Sequence, residues 1–190
     1  VWQETTIDGP KTQRWSLDKN QCAELASHHI AWLGIDTVFA PYNRVRLAPT
    51  GSFFLACLEG EGRMLLEGRW ERITTGALCL APPRVLNAFH AVPRKPWTFA
   101  WVRYEEPSWS KPVVGANSPL RLERGAEEFG HILAGLRSEW LGERDAALVR
   151  LDDALDEGEA QPRPPHLLVD RGVRAVELLE QLLQVLRADA

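Results

Sequence analysis

The chain has 190 residues, a formal net charge of −4, 45% hydrophobic and 25% charged residues. These fractions are globular averages and exclude long disorder, and a domain of this size needs neither a disulfide nor a metal to fold. The acidic balance excludes a surface built to coat nucleic acid, and no apolar run of about 18 residues exists to span a membrane.

The three cysteines, Cys22, Cys57 and Cys79, form no C-x-x-C pair. They read as buried thiols of a reducing compartment. The chain starts at Val1 and its only methionine is Met64, which we take as a piece of a longer cytoplasmic protein.

Residues up to about Lys11 are polar and broken by Gly9-Pro10, so an arm or an edge strand is expected. From Ser16 to Trp32 the spacing of Leu17, Ala23, Leu25 and Ala26 predicts a helix with Ser16 as its cap. Gly34-Ile35-Asp36 is expected to break the chain before the period changes.

Residues 44–104 read as strands. The apolar run Phe53–Leu58 ends at Gly60-Glu61-Gly62, and Arg63–Leu66 and Arg69–Ile73 flank Glu67-Gly68 as a hairpin. Thr75-Gly76 leads into Ala77–Ala81, which Pro82-Pro83 stops, and Leu86–His90 and Trp97–Tyr104 complete the set. Short strands with turn signals about every 8–12 residues are the pattern of a sandwich or barrel. The short connections exclude a parallel βαβ sheet.

After Tyr104 prolines punctuate a connector. Helices are predicted over Glu123–Leu141, from the spacing of Phe129, Ile132, Leu133, Leu136 and Trp140, and over Ala146–Leu155. A proline-rich loop then precedes a last helix with Val176, Leu179, Leu183, Leu186 and Ala190 along one seam. So broad an apolar face must pack on the domain or on a second copy of itself.

In their order, several of these features resemble the cupin-like sensor domain of AraC-type transcription regulators. They are Gly60-Glu61-Gly62, Glu67-Gly68-Arg69, Thr75-Gly76 before Ala77-Leu78-Cys79-Leu80, Ala81-Pro82-Pro83, and Pro96 through Tyr104. The resemblance covers about residues 30–105 well and the Glu123–Leu141 helix loosely. It implies a mainly β fold with α, a double-stranded β-helix (jelly-roll barrel) followed by C-terminal antiparallel helices. The expected division is an arm and short helix in 1–35, the barrel in 36–108, and a connector with helical dimerisation region in 109–190.

The same resemblance implies no enzyme. It implies a domain that binds a small organic effector, sugar-like or less polar, dimerises through its C-terminal helices, and controls a helix-turn-helix DNA-binding domain absent from this chain. Ligand contacts carried over by position fall at Arg44 or Arg46, Phe89, Phe99 and Trp101. Asn87 stands where metal-dependent cupins carry a further histidine. Arabinose-sensing members have tyrosine and histidine where this chain has Phe89 and Phe99, which shifts the expected ligand toward lower polarity.

The residues themselves weigh against a metal centre and a cofactor. A divalent ion needs three or four converging N or O ligands, yet no histidine lies between His29 and His90, and the first motif strand carries Phe53, Leu55 and Cys57. On Trp97–Tyr104 the alternation puts Trp97, Phe99, Trp101 and Arg103 on one face, expected to be the barrel interior. Two alternatives stay open. One is a metal-free sugar isomerase or epimerase using His90 with Tyr104 or Glu59, and the other is a dimerisation module whose barrel is filled. Glu105-Glu106 is excluded as a catalytic pair because neighbours on a strand point to opposite faces.

Overall fold

The computed structural model describes residues 1–156 and Gln181. The helix predicted around Val176–Ala190 therefore lies outside the described residues, as does the pairing of helices behind the dimer expectation. In chain order the elements are β1 (Thr5–Ile7), β2 (Gln13–Asp18), α1 (Ala23–Ser27), β3 (Ile30–Val38), β4 (Asn43–Arg46), β5 (Phe53–Leu66), β6 (Arg69–Thr74), β7 (Leu78–Ala81), β8 (Asn87–Ala91), β9 (Trp97–Tyr104), β10 (Leu120–Leu122) and α2 (Ala126–Asp156).

All strand pairs are antiparallel and form two layers. One runs β1-β4-β8-β5-β6 and the other β10-β7-β5-β9-β3-β2. This is the mainly β jelly-roll barrel that the resemblance implied. The long strand β5 belongs to both layers. Its first half pairs with β7 and β9, the register shifts between Cys57 and Glu59, and its second half pairs with β6 and β8. Gly60-Glu61-Gly62 is thus not a boundary but the corner where a bulged strand changes sheets. Gly60 sits at φ 78°, where a Cβ would stand 2.1 Å from the Pro96 carbonyl oxygen.

The Glu67-Gly68 hairpin forms as its turn chemistry requires, both residues having positive φ (49° and 79°). β9 covers the predicted Trp97–Tyr104. Its two faces divide the core: Trp97 and Phe99 pack inside the barrel, while Ala100, Val102 and Tyr104 face α2. On that outer side Ala126, Phe129, Leu133 and Leu136 of α2 cover Phe54, with the Phe129 and Phe54 rings stacked at 6.3 Å. The helices predicted over Glu123–Leu141 and Ala146–Leu155 are one continuous element.

The helix predicted over Ser16–Trp32 is corrected to two strands around the single turn of α1. Leu17 and Leu33 face each other across β2 and β3. The Asp18 carboxylate accepts from the amides of Asn20 and Gln21, turning the chain after β2. The apolar residues that mimicked a helical period lie on both sides of that turn, and Cys22, not Ser16, stands at the start of α1. Gly34-Ile35-Asp36 lies inside β3 and breaks nothing. The sheets therefore take in β1 and β2, ahead of residue 36, and β10, beyond residue 108.

Candidate functional site

Between the two layers lies a cavity of about 300 Å³, lined by residues of the arm, β2, β3, β4, β5, β8 and β9. Its walls are Phe53, Phe89, Phe99 and Trp101, and its polar rim holds Asp8, Arg14, Asp36, Arg44, Arg46 and Arg103. That volume is at the lower end of small-molecule sites, roughly 300–1,000 Å³. The rings interlock beneath it: Phe53 stacks on Phe89 at 5.4 Å, Phe89 meets Phe99 edge to face at 6.1 Å, and Tyr42 lies 6.0 Å from Phe99. Phe89 and Phe99 are buried to 1% exposure, so they form the floor. Trp101 is half-buried and meets Trp32 edge to face at 6.4 Å near the mouth.

Strand alternation builds the rim. Arg44 and Arg46 are two apart on β4, so both turn inward while Val45 packs on the outer face. Arg44 donates to the Ile7 carbonyl at 2.7 Å, pairs with Asp8, and lies 4.3 Å over the Tyr42 ring. Arg14 donates through Nε and Nη2 to the buried Asp36 carboxylate at 2.9 and 2.8 Å, and reaches Asp8 at 3.1 Å. Trp101 donates its indole N–H to the same Asp36 at 2.9 Å, which fixes the ring plane.

Electrostatics follow from these partners. Burial pushes the Asp8 carboxyl up, but the hydrogen bond and charge of Arg44, helped by Arg14, outweigh it and hold the group below the usual 3.8. Burial, and then the like charge of Arg103, lower Arg46 to about 10. Burial raises the Tyr42 hydroxyl to about 12. At neutral pH Arg46 is still a cation and Tyr42 still a neutral donor.

Five of the six residues expected at a site, Arg44, Arg46, Phe89, Phe99 and Trp101, come together around this one cavity. Asn87 does not line it. It shares the inward face of β8 with Phe89, two positions away, and is fully buried with neither amide atom hydrogen-bonded. The His90–Tyr104 pair considered for an enzyme is not assembled, and Glu59, the other partner considered for His90, is exposed. The His90 ring packs at 4.7 Å against Trp70, whereas Tyr104 lies in the core beneath α2. Glu105 pairs with Lys19 at the surface, while Glu106 is buried and accepts from Ser52. Among the described residues no group of three His, Cys, Asp or Glu side chains converges as metal ligands.

Sequence reasoning missed Asp8, Arg14, Asp36 and Tyr42 as rim and wall residues, placed Arg103 on the inward face without a ligand role, and placed Phe53 only as a missing metal ligand. Asp36 left a legible signal as one carboxylate inside the apolar stretch Ile30–Val38. A larger depression of about 510 Å³ lies outside the barrel among Lys19, His29, Thr50 and Glu105. Tyrosine, tryptophan and phenylalanine are absent from its lining, Lys19 and Glu105 there pair with each other, and Glu106 is held by Ser52.

A barrel with a ring-walled interior and a strand of the arm at its mouth defines a ligand-binding domain of the jelly-roll class. The family model described as the AraC-like ligand binding domain matches residues 51–151, and the chain belongs to that family. No curated protein matches it. Among solved structures it is similar to a cupin protein from Bacteroides fragilis (14% identity, 58% of this chain and 91% of that one, TM-score 0.41). It is also similar to a predicted oxalate decarboxylase from Thermotoga maritima (13%, 54% and 92%, TM-score 0.43). A third is the polyketide cyclase RemF from Streptomyces resistomycificus (18%, 57% and 75%, TM-score 0.43).

Proposed function

We propose that this domain senses a small organic effector for an AraC-like transcription regulator of the cytoplasm, and that it is not an enzyme. The observation that carries the reading is the cavity itself. Phe53, Phe89, Phe99 and Trp101 offer ring faces to an apolar body, and Arg44 and Arg46 stand beside them as polar anchors. In this reading Asn87 supports the wall, and its unpartnered amide is a polar group that a ligand-dependent shift would satisfy.

The arm is the coupling element. β1 pairs with β4 and its neighbour Asp8 pairs with Arg44, so a ligand that shifts Arg44 changes how the arm is held. A ligand moves that equilibrium only by binding the two arm arrangements with different affinity. Residues 109–190 supply the dimer contact in this proposal, and a helix-turn-helix domain outside this chain binds DNA. The test is hydrogen exchange of Thr5–Ile7 in the chain, with and without a compound that raises its melting temperature. Altered protection of the arm on binding supports coupling; identical protection rejects it.

A further inference from the structure

Four guanidinium groups but only two carboxylates line the cavity. The two acids are already used: Asp36 by Arg14 and Trp101, Asp8 by Arg44 and Arg14. Arg46 and Arg103 are left over. Neither makes an ion pair or a side-chain hydrogen bond among the described residues, and the Arg103 Nε is buried without a partner. The carboxylate whose field reaches Arg46, Glu4, is turned to the Leu47 amide, from which it accepts at 2.9 Å.

These two cations stand on opposite layers and line the same cavity. The Arg46 guanidinium lies 4.9 Å over Phe53 and 5.8 Å from Phe89. Arg103 is the register partner of Phe53 across β5 and β9, and its side chain shares the inward face with Phe99 and Trp101. Two like charges held near each other in a half-buried site repel, and their mutual repulsion is part of what depresses Arg46. Removing unpaired charge from water is costly unless a counter-charge is supplied. A carboxylate fits two guanidinium forks in the plane that bidentate hydrogen bonding prefers. The adjacent aromatic walls and the volume of about 300 Å³ fit a single ring and not an extended chain.

We infer that the effector is a small organic acid, a monocyclic carboxylate whose anionic end is clamped by Arg46 and Arg103 while its ring lies against Phe53, Phe89 and Trp101. This deepens the sensing reading and rests on it. It also accounts for the absence of hydroxyl-directed groups at Phe89 and Phe99: the polar recognition is concentrated at the arginine end.

The test compares matched pairs of probes, benzoate with benzamide and phenylacetate with phenylacetamide, titrated into the whole chain by calorimetry with a parallel thermal melt. Each acid is expected to bind at least about tenfold more tightly than its amide, the difference expected of charge-assisted over neutral hydrogen bonds. Arg46→Gln and Arg103→Gln are each expected to abolish that preference while circular dichroism and melting show a folded domain. Arg46→Lys, which keeps the charge and loses the fork, should retain part of it.

Acids and amides bound equally would overturn the organic-acid inference and leave the sensing reading standing, as would an acid preference that survives both glutamine variants. No binding of any probe, with other neutral metabolites bound, would also overturn the inference alone. A barrel silent to every class of compound would overturn the sensing reading with it.

Discussion

Gly34 faces Trp101 in register across β3 and β9, and the indole lies over the place a side chain would fill. A Cβ at Gly34 would stand 2.9 Å from the six-membered ring of Trp101 and 2.5 Å from the Trp15 carbonyl oxygen. Gly62 does the same for Trp97, where a Cβ would come within 2.3 Å of the indole. Glycine inside a strand weakens it and marks close approach; here it makes room for the two largest rings of the barrel.

Gly34→Ala is therefore expected to push Trp101 out of its plane against Asp36, costing about 1–3 kcal/mol, the usual range for overpacking. A fall of several degrees in melting temperature checks it. Gly135→Ala, on α2 with no atom near its added methyl group, is the control and should be neutral or slightly stabilising. Equal melting temperatures for Gly34→Ala and wild type would contradict the account of Trp101.

Asp36 is 1% exposed and serves both Arg14 and Trp101. Breaking a fully buried pair costs about 3–5 kcal/mol. The Arg14 side chain is 35% exposed and keeps Asp8, so the expected loss for Asp36→Asn is smaller, about 2 kcal/mol. Urea unfolding measures it, and an unchanged midpoint would remove Asp36 as the organiser of the mouth.

The arm should loosen in acid. Asp8 titrates below its usual value when folded, so its contribution is complete above the ordinary carboxylate pKa of 3.8 and is lost as pH falls through the lower folded value. Its side chain is 47% exposed, so this is an effect on the arm and not on global stability. Amide resonances of Thr5–Ile7, followed from pH 7 to 3, should keep their paired shifts until below about pH 4. Asp8→Asn should weaken the pairing at neutral pH and remove its acid dependence, and an arm released near pH 6 would contradict this assignment.

Glu106 ties the connector to the barrel. Its carboxylate accepts from the Ser52 amide at 2.8 Å and hydroxyl at 2.9 Å, and also from the Val113 amide. Glu106→Ala leaves buried donors unpaired, each costing about 1–3 kcal/mol. A drop of several degrees in melting temperature, together with faster exchange at Val113 and Val114, is expected; exchange unchanged there would contradict it.

The barrel was legible because its signals are local. Glu67-Gly68 dictates a hairpin by itself, and β9 shows its two faces in eight residues of alternation. The edge strand β1 was legible, but β2 and β3 were not, because Leu17 and Leu33 pair across a turn that only the Asp18 side chain reveals. At the site, the aromatic residues could be placed because β8 and β9 are regular. The ion pairs could not be placed: Arg14 and Asp36 meet through pairing of β2 with β3, which the helical reading of residues 16–32 had removed. The surplus of positive charge at the rim is visible only once Asp8, Arg14 and Asp36 are seen to be partners of one another and of Arg44.

The most direct measurement is tryptophan emission during titration of a metabolite panel, organic acids included, into wild type and Trp101→Phe. A hollow, ring-walled barrel predicts that a binder shifts or quenches the wild-type spectrum and that most of this change disappears in Trp101→Phe. Emission that stays constant across the whole panel, or a change of equal size in both proteins, would mean that the barrel interior is not where this domain binds its ligand.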